Sequence, residues 1–165
     1  MQRRLFLVHG GLLALGGCGF HLRAAPEFAF KTISVSSGET SALGNELKRT
    51  LASLGTVQVI TDPALIPSTE AVLDIPVEQR EKTVVGMNSS GQVTEFQIRL
   101  RVHFKLRTSQ GKELIPETEI LQQRDISFNE SAVLAKETEE GLMYRDMQSD
   151  IVQQLMRRLA AVKTL

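Results

Sequence analysis

The chain has 165 residues, in which 19 Lys and Arg balance 19 Asp and Glu, with one cysteine and no tryptophan. Zero net charge argues against a nucleic-acid binder, and a single cysteine excludes a disulfide within the chain. The length suits one domain whose core is held by packing alone.

Arg3 and Arg4 precede an apolar run from Leu5 to Leu15. Such a run, about eleven residues, is too short for a membrane-spanning helix, which needs roughly 20. It fits the apolar core of a signal peptide. The small residues Gly16 and Gly17 then lead to Cys18, although Gly16 is an uncommon choice at a cleavage box. This order points to a bacterial lipoprotein. Residues 1–17 are removed as the signal peptide, and Cys18 carries an N-acyl chain and an S-diacylglycerol. The plain alternative is an inert cysteine behind a chance apolar run. Arg3-Arg4-Leu5-Phe6-Leu7 fits a twin-arginine signal and an ordinary secretion signal alike. Each buried methylene contributes about 0.8 kcal/mol, and stable anchoring takes more than one chain. Gly19, in place of an aspartate, favours the outer membrane. Removing residues 1–17 from the 165 leaves 148, with 17 basic and 19 acidic side chains and a net charge of −2. No cofactor is expected beyond the lipid on Cys18.

Residues 18–29 read as a lipidated tether, kept extended by Pro26. Residues 30–165 read as a single α/β domain. Thr32 to Ser36 alternates as a strand. Thr40 to Leu54 reads as a helix, with Ser41 as a cap and Leu43, Leu47, Leu51 and Leu54 on one face. Gly55 ends it. Thr56 to Ile60 is a second strand, and strand–helix–strand implies parallel pairing. Asp62-Pro63 and Pro67-Ser68 mark a loop.

Three long β segments follow. In the first, Ala71, Leu73, Ile75 and Val77 alternate with Val72, Asp74, Pro76 and Glu78, so those four are expected on one apolar face. Asn88-Ser89-Ser90-Gly91 is a turn. Val93 to Thr108 and Glu113 to Phe128 flank a second turn at Ser109–Lys112. These segments exceed the usual 3–10 residues, so bends or extension past the sheet are expected. The last element is a helix from Ser131 to Val162. Met143, Met147, Ile151, Leu155 and Leu159 recur every four residues, and Gly141 is a candidate bend. The fold class is α+β: a four-stranded mixed sheet with two helices packed on one face.

Arg99, Arg101, His103, Lys105 and Arg107 alternate with Ile98, Leu100, Val102, Phe104 and Leu106. With a side-chain period of two, five cationic or potentially cationic groups line one face. Three readings stand. The charges pair across strands, with Glu78, Glu113, Glu117 and Glu119 as partners. The face binds a polyanion such as phosphates or acidic sugars. Or it is a polar protein-binding face. No Cys/His cluster suggests a metal, and no nucleophile elbow, P-loop or dinucleotide fingerprint suggests an enzyme.

Three strings carry a family resemblance. Cys18-Gly19-Phe20-His21-Leu22-Arg23 is similar to the start of mature LptE proteins. Gly91-Gln92 followed by Thr94-Glu95-Phe96-Gln97 resembles that family's strand start after a turn. Leu134-Ala135-Lys136-Glu137 resembles the stretch opening its last helix. The resemblance implies a lipoprotein that plugs the lumen of the outer-membrane barrel LptD, binds lipopolysaccharide and helps place it in the outer leaflet. It also implies two helices against four strands. Lys136 matches one of two basic positions implied to meet lipopolysaccharide; its plain reading is a solvent-facing helix lysine. The second position aligns with Ser89, so a cation is missing there. Arg99 and Arg101 are the candidates to replace it. The competing function is a membrane-tethered periplasmic module that binds another anionic envelope polymer through the Arg99–Arg107 face.

Overall fold

The computed structural model describes residues 26–165. Cys18, His21 and the signal segment lie outside the described residues. The elements run β1 (Thr32–Ser36), α1 (Ala42–Ser53), β2 (Gln58–Val59), a 3-10 turn (Pro63–Ser68), β3 (Ala71–Met87), β4 (Val93–Arg107), β5 (Glu113–Ser127), a short 3-10 turn (Glu130–Ala132) and α2 (Val133–Ala161). The sheet has five strands in the order β2-β1-β3-β4-β5, not four. The extra strand is the two-residue β2, which pairs parallel to β1 at Thr32–Gln58 and Ile33–Val59. β1 is also parallel to β3, whereas β3, β4 and β5 form an antiparallel meander. The sheet is therefore mixed.

α1 begins where Ser41 Oγ accepts the Gly44 N–H at 2.8 Å. It ends before Gly55, whose φ of 67° is the left-handed conformation glycine takes at low cost. Its Leu43, Leu47 and Leu51 are fully buried. They join Met147, Ile151, Leu155 and Leu159 of α2 and the inward residues of β1, β3 and β4 in one apolar cluster. Both helices thus cover a single face of the sheet. α2 runs through Gly141 as one helix. The helices are also clamped by a polar contact. Glu46 of α1 accepts from Gln148 Nε2 at 2.6 Å and from Ser149 Oγ at 2.8 Å.

The long strands stay in one sheet by bulging at proline. Asp74 pairs with Lys105 but Val77 pairs with His103, so two β3 residues oppose one on β4. Pro76, which lacks a ladder N–H, sits in that bulge. The extra residue changes which positions face the helices. Ala71, Leu73 and Ile75 point inward, and beyond the bulge Glu78, Arg80 and Lys82 do. Val77 therefore faces away from the core, against the simple alternation of the sequence. A second bulge falls between Phe104–Thr118 and Leu106–Ile115, where Pro116 sits. β1 pairs only with Ala71 to Asp74 of β3, so the rest of the meander extends beyond it.

Candidate functional site

The end of the meander farthest from β1 meets the first turns of α2. There Lys82, Phe96, Ile126, Ser127, Phe128, Val133, Lys136, Glu137 and Glu140 line a cleft of about 240 Å³. Its floor is apolar. Phe96 and Phe128 pack edge to face, with ring centroids 5.2 Å apart. Two ammonium groups sit over this floor. Lys136 Nζ donates to Ser127 Oγ at 3.0 Å and to Glu139 at 2.8 Å. Lys82 Nζ donates to Glu140 at 2.6 Å and lies 4.4 Å above the Phe96 ring. Both ammonium groups are thus ion-paired to carboxylates of α2, as Arg101 is to Glu119 and Glu81.

Lys82 reaches the cleft because the Pro76 bulge fixes its facing. It pairs with the inward Ile98. A second anchor holds that stretch of β3 to α2, where the Tyr144 hydroxyl donates to the Glu81 carbonyl at 2.8 Å. Burial pushes the Tyr144 phenol above its ordinary range, with the Glu140 carboxylate adding to the effect.

Arg99 and Arg101 are placed elsewhere. They lie on the opposite face of β4, away from Lys136. Arg99 donates to Gln97. Arg101 is paired with Glu119 at 2.6 Å and with Glu81 at 3.4 Å. The hydrogen bond and charge of Glu119 raise the Arg101 guanidinium further. The same guanidinium holds the Glu119 carboxyl below the usual carboxylate range. His103 lies 3.2 Å from both Glu117 and Glu119, and Arg107 pairs with Asp74 at 2.9 Å. Much of the basic strand is thus neutralised by its neighbours, through Asp74 and Glu81 as well as the expected Glu117 and Glu119. Glu78 faces the other way and accepts from Ser41 Oγ. Ser89 sits in the exposed turn between β3 and β4, and Lys82 is the basic residue that shares the cleft with Lys136. Lys82, Phe96 and Phe128 escaped the sequence reading. The clue to Lys82 was Pro76, a proline inside a long strand.

Among the described residues, no group of His, Cys, Asp or Glu is arranged to hold a metal. No described helix is long and apolar enough to cross a membrane. The fold is of the α+β class, a mixed five-stranded sheet with both helices on one face. Residues 30–159 match the LptE family model, described as lipopolysaccharide-assembly, and the chain belongs to that family. The LPS-assembly lipoprotein LptE of Pectobacterium atrosepticum is 26% identical over 168 residues, covering 98% of this chain and 88% of that protein. The protein of the same name from Yersinia enterocolitica is 28% identical, with 98% and 78% covered. The solution structure of lipoprotein B from Nitrosomonas europaea superposes with a TM-score of 0.74 at 31% identity, covering 87% of this chain and 91% of that one.

Proposed function

We propose that this protein is an outer-membrane lipoprotein that plugs the lumen of an LptD barrel and assists lipopolysaccharide assembly at the cell surface. In this reading residues 1–17 are excised and Cys18 carries the N-acyl and S-diacylglycerol anchor on the periplasmic side. Residues 18–29 are the tether, and residues 30–165 are the single domain that enters the barrel. Lipopolysaccharide docks at the cleft between β3, β5 and α2. The observation that carries this site is the pair Lys82 and Lys136 over the floor of Phe96, Ile126 and Phe128. Lipid A joins phosphates to acyl chains, and the cleft offers a complement to each. Lys82 takes the place of the cation missing at Ser89.

The test is direct binding of lipopolysaccharide to the purified protein. A charged hydrogen bond contributes about 1.5–3 kcal/mol. Lys136→Gln and Lys82→Gln should therefore each weaken binding by about tenfold or more, while Arg99→Gln and Arg101→Gln leave it unchanged. An unchanged affinity in both lysine variants removes the cleft from the site. Loss in the arginine variants instead, with steep salt dependence, returns the function to a tethered polyanion-binding module on the Arg99–Arg107 face.

A further inference from the structure

Each lysine of the cleft has two contacts of different kinds. Lys136 Nζ has the neutral Ser127 hydroxyl at 3.0 Å and the Glu139 carboxylate at 2.8 Å. Lys82 Nζ has the neutral Phe96 ring at 4.4 Å and the Glu140 carboxylate at 2.6 Å. In both cases the neutral partner lies on the sheet and the carboxylate comes from α2. If the carboxylate leaves, the neutral partner still aims the ammonium over the same floor.

The carboxylates are the exchangeable partners. The side chains of Glu139 and Glu140 are 43% and 22% exposed, and ion pairs in contact with water are weak, because water competes for both charges. Neither pair is the sole tie at this end of the fold. Lys136 and Glu139 are three residues apart on one helix. Lys82 and Glu140 join β3 to α2, but the Tyr144 hydroxyl already ties the same stretch at the Glu81 carbonyl. Arg101 on the other face differs, since Glu119 and Glu81 grip it together.

Charge then sets what can take the place of these carboxylates. With Glu137 lining the same cleft, three carboxylates of α2 stand against two ammonium groups. A ligand carboxylate that displaces Glu139 or Glu140 exchanges one single charge for its equal. A phosphate monoester carries about −1.5 to −2 near neutral pH and has three acceptor oxygens, so it gains in the exchange.

We infer that Glu139 and Glu140 are internal competitors that regulate the cleft: they occupy Lys136 and Lys82 while it is empty, and a phosphate monoester head group takes their places. The inference rests on the reading of the cleft as a lipid site, and it names the residues that set its affinity.

The experiment uses the purified full lipoprotein in a neutral detergent at about pH 8, above the second phosphate pKa of about 6. It is titrated with dodecyl phosphate, with dodecanoate and with lipopolysaccharide, and thermal unfolding of each variant is followed. Wild type should prefer the phosphate to the carboxylate by about fivefold. Glu139→Gln and Glu140→Gln keep the side-chain shape and remove the charge. Each should tighten dodecyl phosphate by about two- to fivefold. The gain from Glu140→Gln should vanish when Lys82→Gln is added and persist when Lys136→Gln is added; Glu139→Gln should show the converse. Unchanged or weaker binding in both glutamate variants overturns the inference, and a lowered melting temperature with unchanged affinity makes the pairs structural clamps. A gain that ignores which lysine is present also overturns it, because that is long-range charge alone. Equal wild-type affinity for the two dodecyl probes removes the exchange of charge. If the lysine variants weaken lipopolysaccharide binding and the glutamate variants gain nothing, the lipid site stands and the competitors fall. If the lysine variants bind lipopolysaccharide like wild type, both fall.

Discussion

Gly44 and Gly141 offer the same substitution with opposite expected signs. Gly44 lies in the first turn of α1 and Gly141 inside α2, and propensity alone predicts that alanine stabilises both, by at most about 1 kcal/mol. At Gly44 the fold opposes this. A Cβ there would lie 2.1 Å from Ser37 Oγ, 2.7 Å from Ser37 Cβ and 2.9 Å from Ser41 Oγ. Two of these atoms belong to a residue whose Cβ cannot rotate away, so the β1–α1 connection must move. The third is the oxygen that caps α1. Overpacking costs about 1–3 kcal/mol, and a lost cap about 1 kcal/mol more. Set against the propensity gain, Gly44→Ala should destabilise by about 1–3 kcal/mol. Gly141→Ala, with open space around it, should stabilise the isolated protein by about 1 kcal/mol. Urea unfolding followed by circular dichroism measures both, as midpoint shifts at constant slope. A neutral or stabilising Gly44→Ala would refute the close approach of α1 to the β1–α1 connection.

Other expectations follow from the same geometry. Glu46→Ala leaves buried Gln148 without its acceptor and should cost about 1–3 kcal/mol; a double-mutant cycle with Gln148→Ala should show coupling between the two sites. Ile75→Thr should cost more than 1 kcal/mol, because it puts a hydroxyl on the core side of the bulge, whereas Val77→Thr should change the urea midpoint little. Equal effects would place both residues on one face. The Glu119 carboxyl, held below its ordinary range by Arg101, contributes stability that is present above about pH 4 and lost as pH falls through its folded pKa. Carboxyl NMR should show it titrating below a free glutamate, and Arg101→Gln should move it upward.

Sequence periodicity was enough to mark α1, α2 and the three long strands, because each buries one face and its apolar residues recur with the period of its own backbone. Leu43, Leu47 and Leu51 on α1, and the even positions from Ile98 to Leu106 on β4, follow this pattern and are all buried. The string around Cys18 and the stretch around Lys136 carried the family from the sequence itself. Periodicity failed where a residue breaks it. One extra residue at the Pro76 bulge changes the facing from Val77 to Val84, where the next irregularity falls, so Val77 left the apolar face and Lys82 entered the cleft. The two-residue β2 was legible as a strand signal, but its addition to the sheet as a fifth member was settled by pairing with β1. The partners of the basic strand were likewise set by register, which places Glu81 and Glu119 beside Arg101 and leaves Glu78 on the helix side. Local chemistry determined which residues could be buried or charged. Only the tertiary structure decided which of them meet, because strand register and the helix-covered face depend on contacts far apart in the chain.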